Sequence, residues 1–200
     1  MAKTLLQMLN AEGCPSKLSE SALIVVDAQR EYKDGAVPLS GFDQAVEEIA
    51  GLVERSRRAG GKIWFVRHKT MSGAPIFDPD GPYFQIVDEL KPQSQDSIID
   101  KSQPSSFVGT DLDEQLKKAG LKNLIITGFM THACISTTVR SAHALAYPVT
   151  VVASACATRD LPSATKGGEV VKARDLHNAT LAALKDLFAV VASDSKAIAD

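Results

Sequence analysis

Short apolar runs alternating with stretches of helical spacing give this chain its rhythm. Residues 21–27 (SALIVVD) form a continuous run rich in β-branched side chains and ending in a carboxylate, the pattern of a strand buried on both faces. Residues 42–60 follow with Ala45, Ile49, Leu52 and Val53 on one helical face and the Gly60-Gly61 pair as a stop. Runs at 62–66, 97–100, 123–127 (NLIIT), 149–152 and 188–191 predict five further strands. Helices are predicted over 111–120, with Leu112 and Leu116 inward, and over 135–146 and 169–187. Residues 1–20 predict a short helix packed outside the sheet.

Strands alternating with helices mean βαβ units, right-handed crossovers and a parallel sheet covered on both faces. The expected fold is therefore α/β, a three-layer αβα, Rossmann-like arrangement of six parallel strands in the common order 3-2-1-4-5-6. Two hundred residues suit one domain spanning 1–200. Residues 68–95 break the rhythm with Pro75, Pro79, Pro82 and Pro92. A loop of that length inside a compact domain is usually functional, and Phe77, Tyr83 and Phe84 supply apolar anchors for an ordered pocket wall.

The formal net charge is −2 and no basic run occurs, which argues against a nucleic-acid surface. No stretch of about 18 apolar residues predicts a membrane span. The residues at the amino terminus lack a secretory pattern, and the three cysteines show neither C-x-x-C nor zinc-ligand spacing. A cytoplasmic protein with free thiols is expected.

Ligands of doubly wound sheets bind beyond the carboxyl ends of the strands, where strand order reverses. The first strand ends at Asp27; the fourth leads through GFMTHAC into a helix. Asp27 and Cys134 should therefore face each other. A cysteine at a helix start meets unpaired N–H groups and the positive dipole end, which lower a thiol pKa and suit a nucleophile. The competing reading of Cys134 is a small buried hydrophobe. Lys101, judged by position alone, reads as an exposed lysine in a polar loop. The first strand is not followed by G-x-G-x-x-G and no phosphate-binding P-loop motif occurs, which disfavours a Rossmann-like binding module.

The segments LIVVDAQREY, DKSQPSSFVGTDLDEQLKKAG and NLIITGFMTHACISTTVRSAHALAYPVTVVASACATRD resemble the isochorismatase-like cysteine hydrolase family, in order and in spacing, over residues 21–191. The most specific part is G-x-x-T-x-x-C followed by a helix carrying Thr138 and Arg140. The resemblance implies an Asp27, Lys101, Cys134 triad, with Asp27 as general base and Lys101 holding its charge near both partners. It also implies a cis peptide between Phe129 and Met130, and an oxyanion hole from the Met130 and Cys134 N–H groups. The implied reaction is hydrolysis of an amide, imide or ureido-type C–N bond of a small molecule through a thioester. A vinyl-ether hydrolase is the rival reading, although members of that kind tend to lack the cysteine. Nicotinamidases of the superfamily bind a metal through a D-x-H pair; residues 66–70 here read VRHKT, with His68 but no such pair, so neither a metal nor another cofactor is expected. A homo-oligomer, dimer or tetramer, is expected by the same resemblance.

Tyr32, His68, Phe107 and His132 are candidate substrate contacts, with Phe77 and Phe84 in the long loop. His132 lies two residues before Cys134 in one tight turn, so a structural or pocket-lining role suits it better than a Cys-His pair. His143 and His177 have spacings of surface or satisfied core positions, and Cys156, just after the fifth strand, reads as a core thiol. Arg159 and Asp160 suit a polar substrate group or a subunit contact.

Overall fold

The computed structural model describes residues 2–200; Met1 lies outside them, and with it the start of the predicted amino-terminal helix. Six strands, β1 Ser21–Val26, β2 Lys62–His68, β3 Ser97–Lys101, β4 Asn123–Phe129, β5 Val149–Ala157 and β6 Val190–Ala192, form one sheet in the order β3-β2-β1-β4-β5-β6. Every neighbouring pair is parallel. This is the expected order, with the reversal between β1 and β4.

All six residues of β1 are buried, and their alternation serves two cores. Leu23 and Val25 face helix α2 (Phe42–Arg58), whose Ala45, Ile49, Leu52 and Val53 fill that side. Ala22, Ile24 and Val26 face the other layer, where Leu112 and Leu116 of α3 (Leu112–Ala119), Val139 of α4 (Ser136–Ala144) and Leu184 of α5 (Ala173–Leu187) pack. Gly120 ends α3 in the left-handed conformation, as its position predicts. No helix among the described residues is long and apolar enough to cross a membrane.

Several bounds differ from expectation, each for a local reason. Only Leu5–Met8 (α1) is α-helical in the amino-terminal stretch, and the Leu5 N–H donates to Asp186 of α5. Asn10 at φ 52°, then Gly13 and Pro15, carry the chain away from a helix. The last helix starts at Ala173 rather than 169, because Val171 exchanges backbone hydrogen bonds with Leu161 while Asp160 accepts the Ala173 N–H. β5 continues five residues beyond the apolar run 149–152, since a register shift between Ile126 and Gly128 lets small residues pair on to Ala157. Cys156 thus lies within β5, opposite Gly128.

The long loop is ordered against the segment that follows β1. Arg30 and Glu31 N–H donate to Gln85 and Tyr83, and Val87 N–H donates to Ala28. Phe77 and Phe84 are buried, whereas the Tyr83 ring is exposed and the residue holds the loop through its carbonyl. The buried Glu31 carboxylate accepts from the Ala36 and Phe77 N–H groups and so ties two turns together.

Candidate active site

Four neighbouring strands each deliver one side chain to a common point beyond their carboxyl ends. Asp27 follows β1, His68 ends β2, Lys101 ends β3 and Cys134 follows β4. His68 and Lys101 are register partners, so adjacent parallel strands present them side by side. Asp27 turns out of β1 at φ 53°, its N–H donating to Val66 and its carbonyl accepting from Gln29 N–H. That left-handed conformation is one that aspartate tolerates better than most residues.

Lys101 Nζ lies 2.8 Å from Asp27 Oδ2 and donates to Cys134 Sγ at 3.2 Å, and it lies 3.1 Å from His68 Nδ1. Asp27 and Lys101 side chains are fully buried, and Cys134 is 8% exposed. The reading of Lys101 as an exposed loop lysine is therefore wrong: it closes a strand, and burial forces its ammonium onto partners. An ammonium has three N–H donors and no acceptor. His68 Nδ1 must consequently accept, which puts the ring proton on Nε2. Burial and the neighbouring Lys101 charge push the His68 pKa down to about 4, so the ring is neutral near pH 7.

The thiol does not behave as a helix start alone suggests. Burial and the Asp27 charge push Cys134 up to about 12, against the opposing pull of Lys101. Its resting form is the thiol, and expecting a lowered pKa overlooks desolvation. Burial likewise raises Asp27, with Lys101 opposing. The residues 131–135 form one widened turn of π-helix ahead of α4, so the α-helix begins one residue later than predicted. Ala133 and Ile135 N–H both donate to the Met130 carbonyl. The Phe129–Met130 peptide is cis. Gly128, at φ 115°, permits this crossing: a Cβ there would lie 1.9 Å from the Val26 carbonyl oxygen.

The turn is pinned from outside, and His177, read from its spacing as a surface or satisfied core residue, is one of the pins. Thr131 Oγ1 donates to the Ala157 carbonyl and lies 2.9 Å from His177 Nδ1. With its one proton committed, Thr131 accepts from His177 Nδ1–H. His177 is thus a strut between α5 and the cysteine turn. Ser106 N–H donates to Thr138 Oγ1, holding the segment after Lys101 against α4. Gln29, fully buried, clamps His68 by accepting its N–H and donating to its carbonyl. No periodic pattern marks these residues, because each contact spans distant segments.

The other candidates separate clearly. Tyr32 is buried, packs edge-on against Phe77 and Phe129, and its hydroxyl pKa is raised by burial and by the Asp27 and Cys134 charges. Phe77 also packs edge-on against His68, so these rings wall the triad. Phe107 stacks on Tyr147 and packs against the buried cluster that includes Cys134, and Phe84 lies under the Arg67 guanidinium. His132 Nδ1 meets Thr158 Oγ1, one residue past the end of β5, at 2.6 Å. His143 is exposed against Phe188, and Cys156 is a buried thiol held at about 12 by burial. Arg159 and Asp160 are exposed after β5. A cavity of about 770 Å³ between Arg57, Trp64 and Lys118 opens at the amino ends of β2 and β3, away from the triad.

Asp27, His68 and Cys134 each present a ligand-type atom within 4.8 Å of the others, a set a divalent metal would accept. Lys101 Nζ already touches all three residues, so a metal here would compete with the lysine for them.

Residues 21–195 match the isochorismatase domain model. An isochorismatase of known structure from Pseudomonas putida is 40% identical, with TM-score 0.92, covering 99% of this chain and 100% of its own. A secreted isochorismatase effector of Verticillium dahliae is 33% identical over 93% of this chain and 94% of its own. A ureidoacrylate amidohydrolase of Acinetobacter baylyi is 30% identical over 68% of this chain and 70% of its own.

Proposed function

The chain belongs to the isochorismatase family of hydrolases, and from that premise we propose that it cleaves an amide, imide or ureido-type C–N bond of a small molecule by covalent thiol catalysis. The observation that carries this reading is the buried Lys101 ammonium in contact with both Asp27 and Cys134. The likeness to a ureidoacrylate amidohydrolase supports the bond type.

Because the resting sulfur is protonated, attack and proton removal belong to one step. Cys134 Sγ forms a bond to the substrate carbonyl carbon while Asp27 takes the thiol proton. A raised carboxyl pKa makes Asp27 a better base than a free aspartate and lets it give the proton away next. Lys101 supplies the positive charge that the transferring proton leaves uncompensated at sulfur. The carbonyl oxygen, now an oxyanion, takes hydrogen bonds from the Met130 and Cys134 amides. Collapse breaks the C–N bond, and the amine leaves with the proton from Asp27. Water then attacks the thioester, Asp27 again accepting a proton, and the acid leaves with Cys134 restored as the thiol.

The test is intact mass and turnover on a panel of small amides, imides and ureido acids. The expected result is an acyl adduct on Cys134 and no hydrolysis by Cys134→Ala. A Cys134→Ala protein that keeps full activity removes this reading.

A further inference from the structure

We propose that His68 is a positioning residue of the thiol site: its neutral ring accepts the third N–H of Lys101 and so aims the ammonium at Asp27 and Cys134. This rests on the covalent-thiol reading given above and adds a fourth member to its triad.

Donor counting carries the inference. Three groups surround Lys101 Nζ: the Asp27 carboxylate as an ion pair, with Oδ2 at 2.8 Å, and Cys134 Sγ at 3.2 Å and His68 Nδ1 at 3.1 Å as hydrogen-bond acceptors. A buried cation with one proton unmatched would turn toward whatever acceptor remained, and the sulfur is the weakest of the three. His68 prevents that rotation only if it is itself held, and one contact holds its backbone and another its ring. Gln29 holds its backbone on both sides, N–H to Oε1 at 2.8 Å and carbonyl to Nε2 at 3.0 Å. Phe77 abuts the ring edge-on, with centroids 5.2 Å apart. Gln29 Nε2 also donates to the Phe84 carbonyl at 2.7 Å, so the clamp ties the long loop to the lysine. A histidine that served only as a wall would need neither the clamp nor a free Nδ1.

The experiment reads sulfur directly and needs no substrate. Alkylation of Cys134 by iodoacetamide at pH 8 is followed by mass spectrometry in a Cys14→Ser background, Cys14 being exposed. Wild type, His68→Leu, His68→Gln, Lys101→Met and the double variant His68→Leu/Lys101→Met are compared, with melting curves as a folding control. His68→Leu should slow alkylation about tenfold, about one pK unit at sulfur. His68→Gln, which keeps an acceptor, should recover most of that rate. In the Lys101→Met background the His68→Leu change should have no further effect, because the two act through one contact. A His68→Leu rate within twofold of wild type overturns the proposal. So does additive slowing in the double variant, or equal slowing by His68→Leu and His68→Gln when both melt as wild type. Turnover by Cys134→Ala is measured alongside: its survival refutes the covalent reading, whereas its loss with an unaffected His68→Leu thiol refutes only the role of His68.

Discussion

Replacing Asp27 by asparagine should make the thiol more reactive and the enzyme inactive. The carboxylate and Sγ lie within 4.8 Å, and the charge of Asp27 is one of the causes that hold the thiol at about 12. Two unit charges about 5 Å apart at an effective dielectric of about 20 interact by about 3 kcal/mol, or about two pK units. Removing the negative charge while Lys101 stays should therefore raise the thiolate fraction at pH 8 roughly a hundredfold, with desolvation keeping the thiol above its free value. Iodoacetamide alkylation of Cys134 should accelerate accordingly. Hydrolysis should fall about a thousandfold, since a positioned base typically contributes 10²–10⁴ and the leaving amine loses its proton source. An asparagine variant whose thiol alkylates no faster than wild type would show that the Asp27 charge does not govern sulfur. One that retained turnover would remove Asp27 as the proton carrier.

Other outcomes follow from the same geometry. His68 is depressed to about 4, so the folded state binds fewer protons than the unfolded chain between about 4 and 6.5. Stability present above pH 6.5 should be lost as pH falls through that window; urea titrations at pH 4.5 and 7 should show a smaller difference for His68→Gln. Cys134 and Cys156 are both pushed up to about 12, so the folded state holds their protons longer and stability should fall as pH rises above about 9. Cys134→Ala should flatten that alkaline slope in denaturant midpoints. Gly128→Ala places a methyl 1.9 Å from the Val26 carbonyl oxygen at φ 115° and should cost more than about 4 kcal/mol, read as loss of soluble folded protein; a well-folded Gly128→Ala protein would contradict the close approach of β4 to β1.

Much of the sheet was readable because burial on both faces writes continuous apolar runs, and the runs ending at Asp27 and in GFMTHAC already pointed to the reversal of strand order. The Lys101 environment was not, because 97–101 reads SIIDK, a short edge run whose last residue is buried only by neighbours far along the chain. The same holds for His68: its partnership with Lys101 is a matter of register between two strands, which no local pattern records. The strut from His177 to Thr131 and the Gln29 clamp link segments separated by 46 and 39 residues. The thiol was misjudged electrostatically because the dipole argument sees the helix and not the desolvation around it.

The division of the site among strand ends also makes the molecule separable. Asp27, His68 and Lys101 all precede the exposed stretch at Ser102, Gln103 and Pro104, and Cys134 follows it. Ser105 and Ser106 already belong to the second half, bonded to Ser141 and Thr138. A chain cut within that stretch would yield one piece carrying the charges and another carrying the sulfur. Their strands would rejoin along one ladder, from Ser21 with Asn123 to Val26 with Gly128, and α2 would pack back across β5 with Arg55 bonded to the Ser195 and Ile198 carbonyls. Neither piece could turn over substrate alone, so activity would report their reunion, and each partner fused to them would be scored for association by a chemical signal.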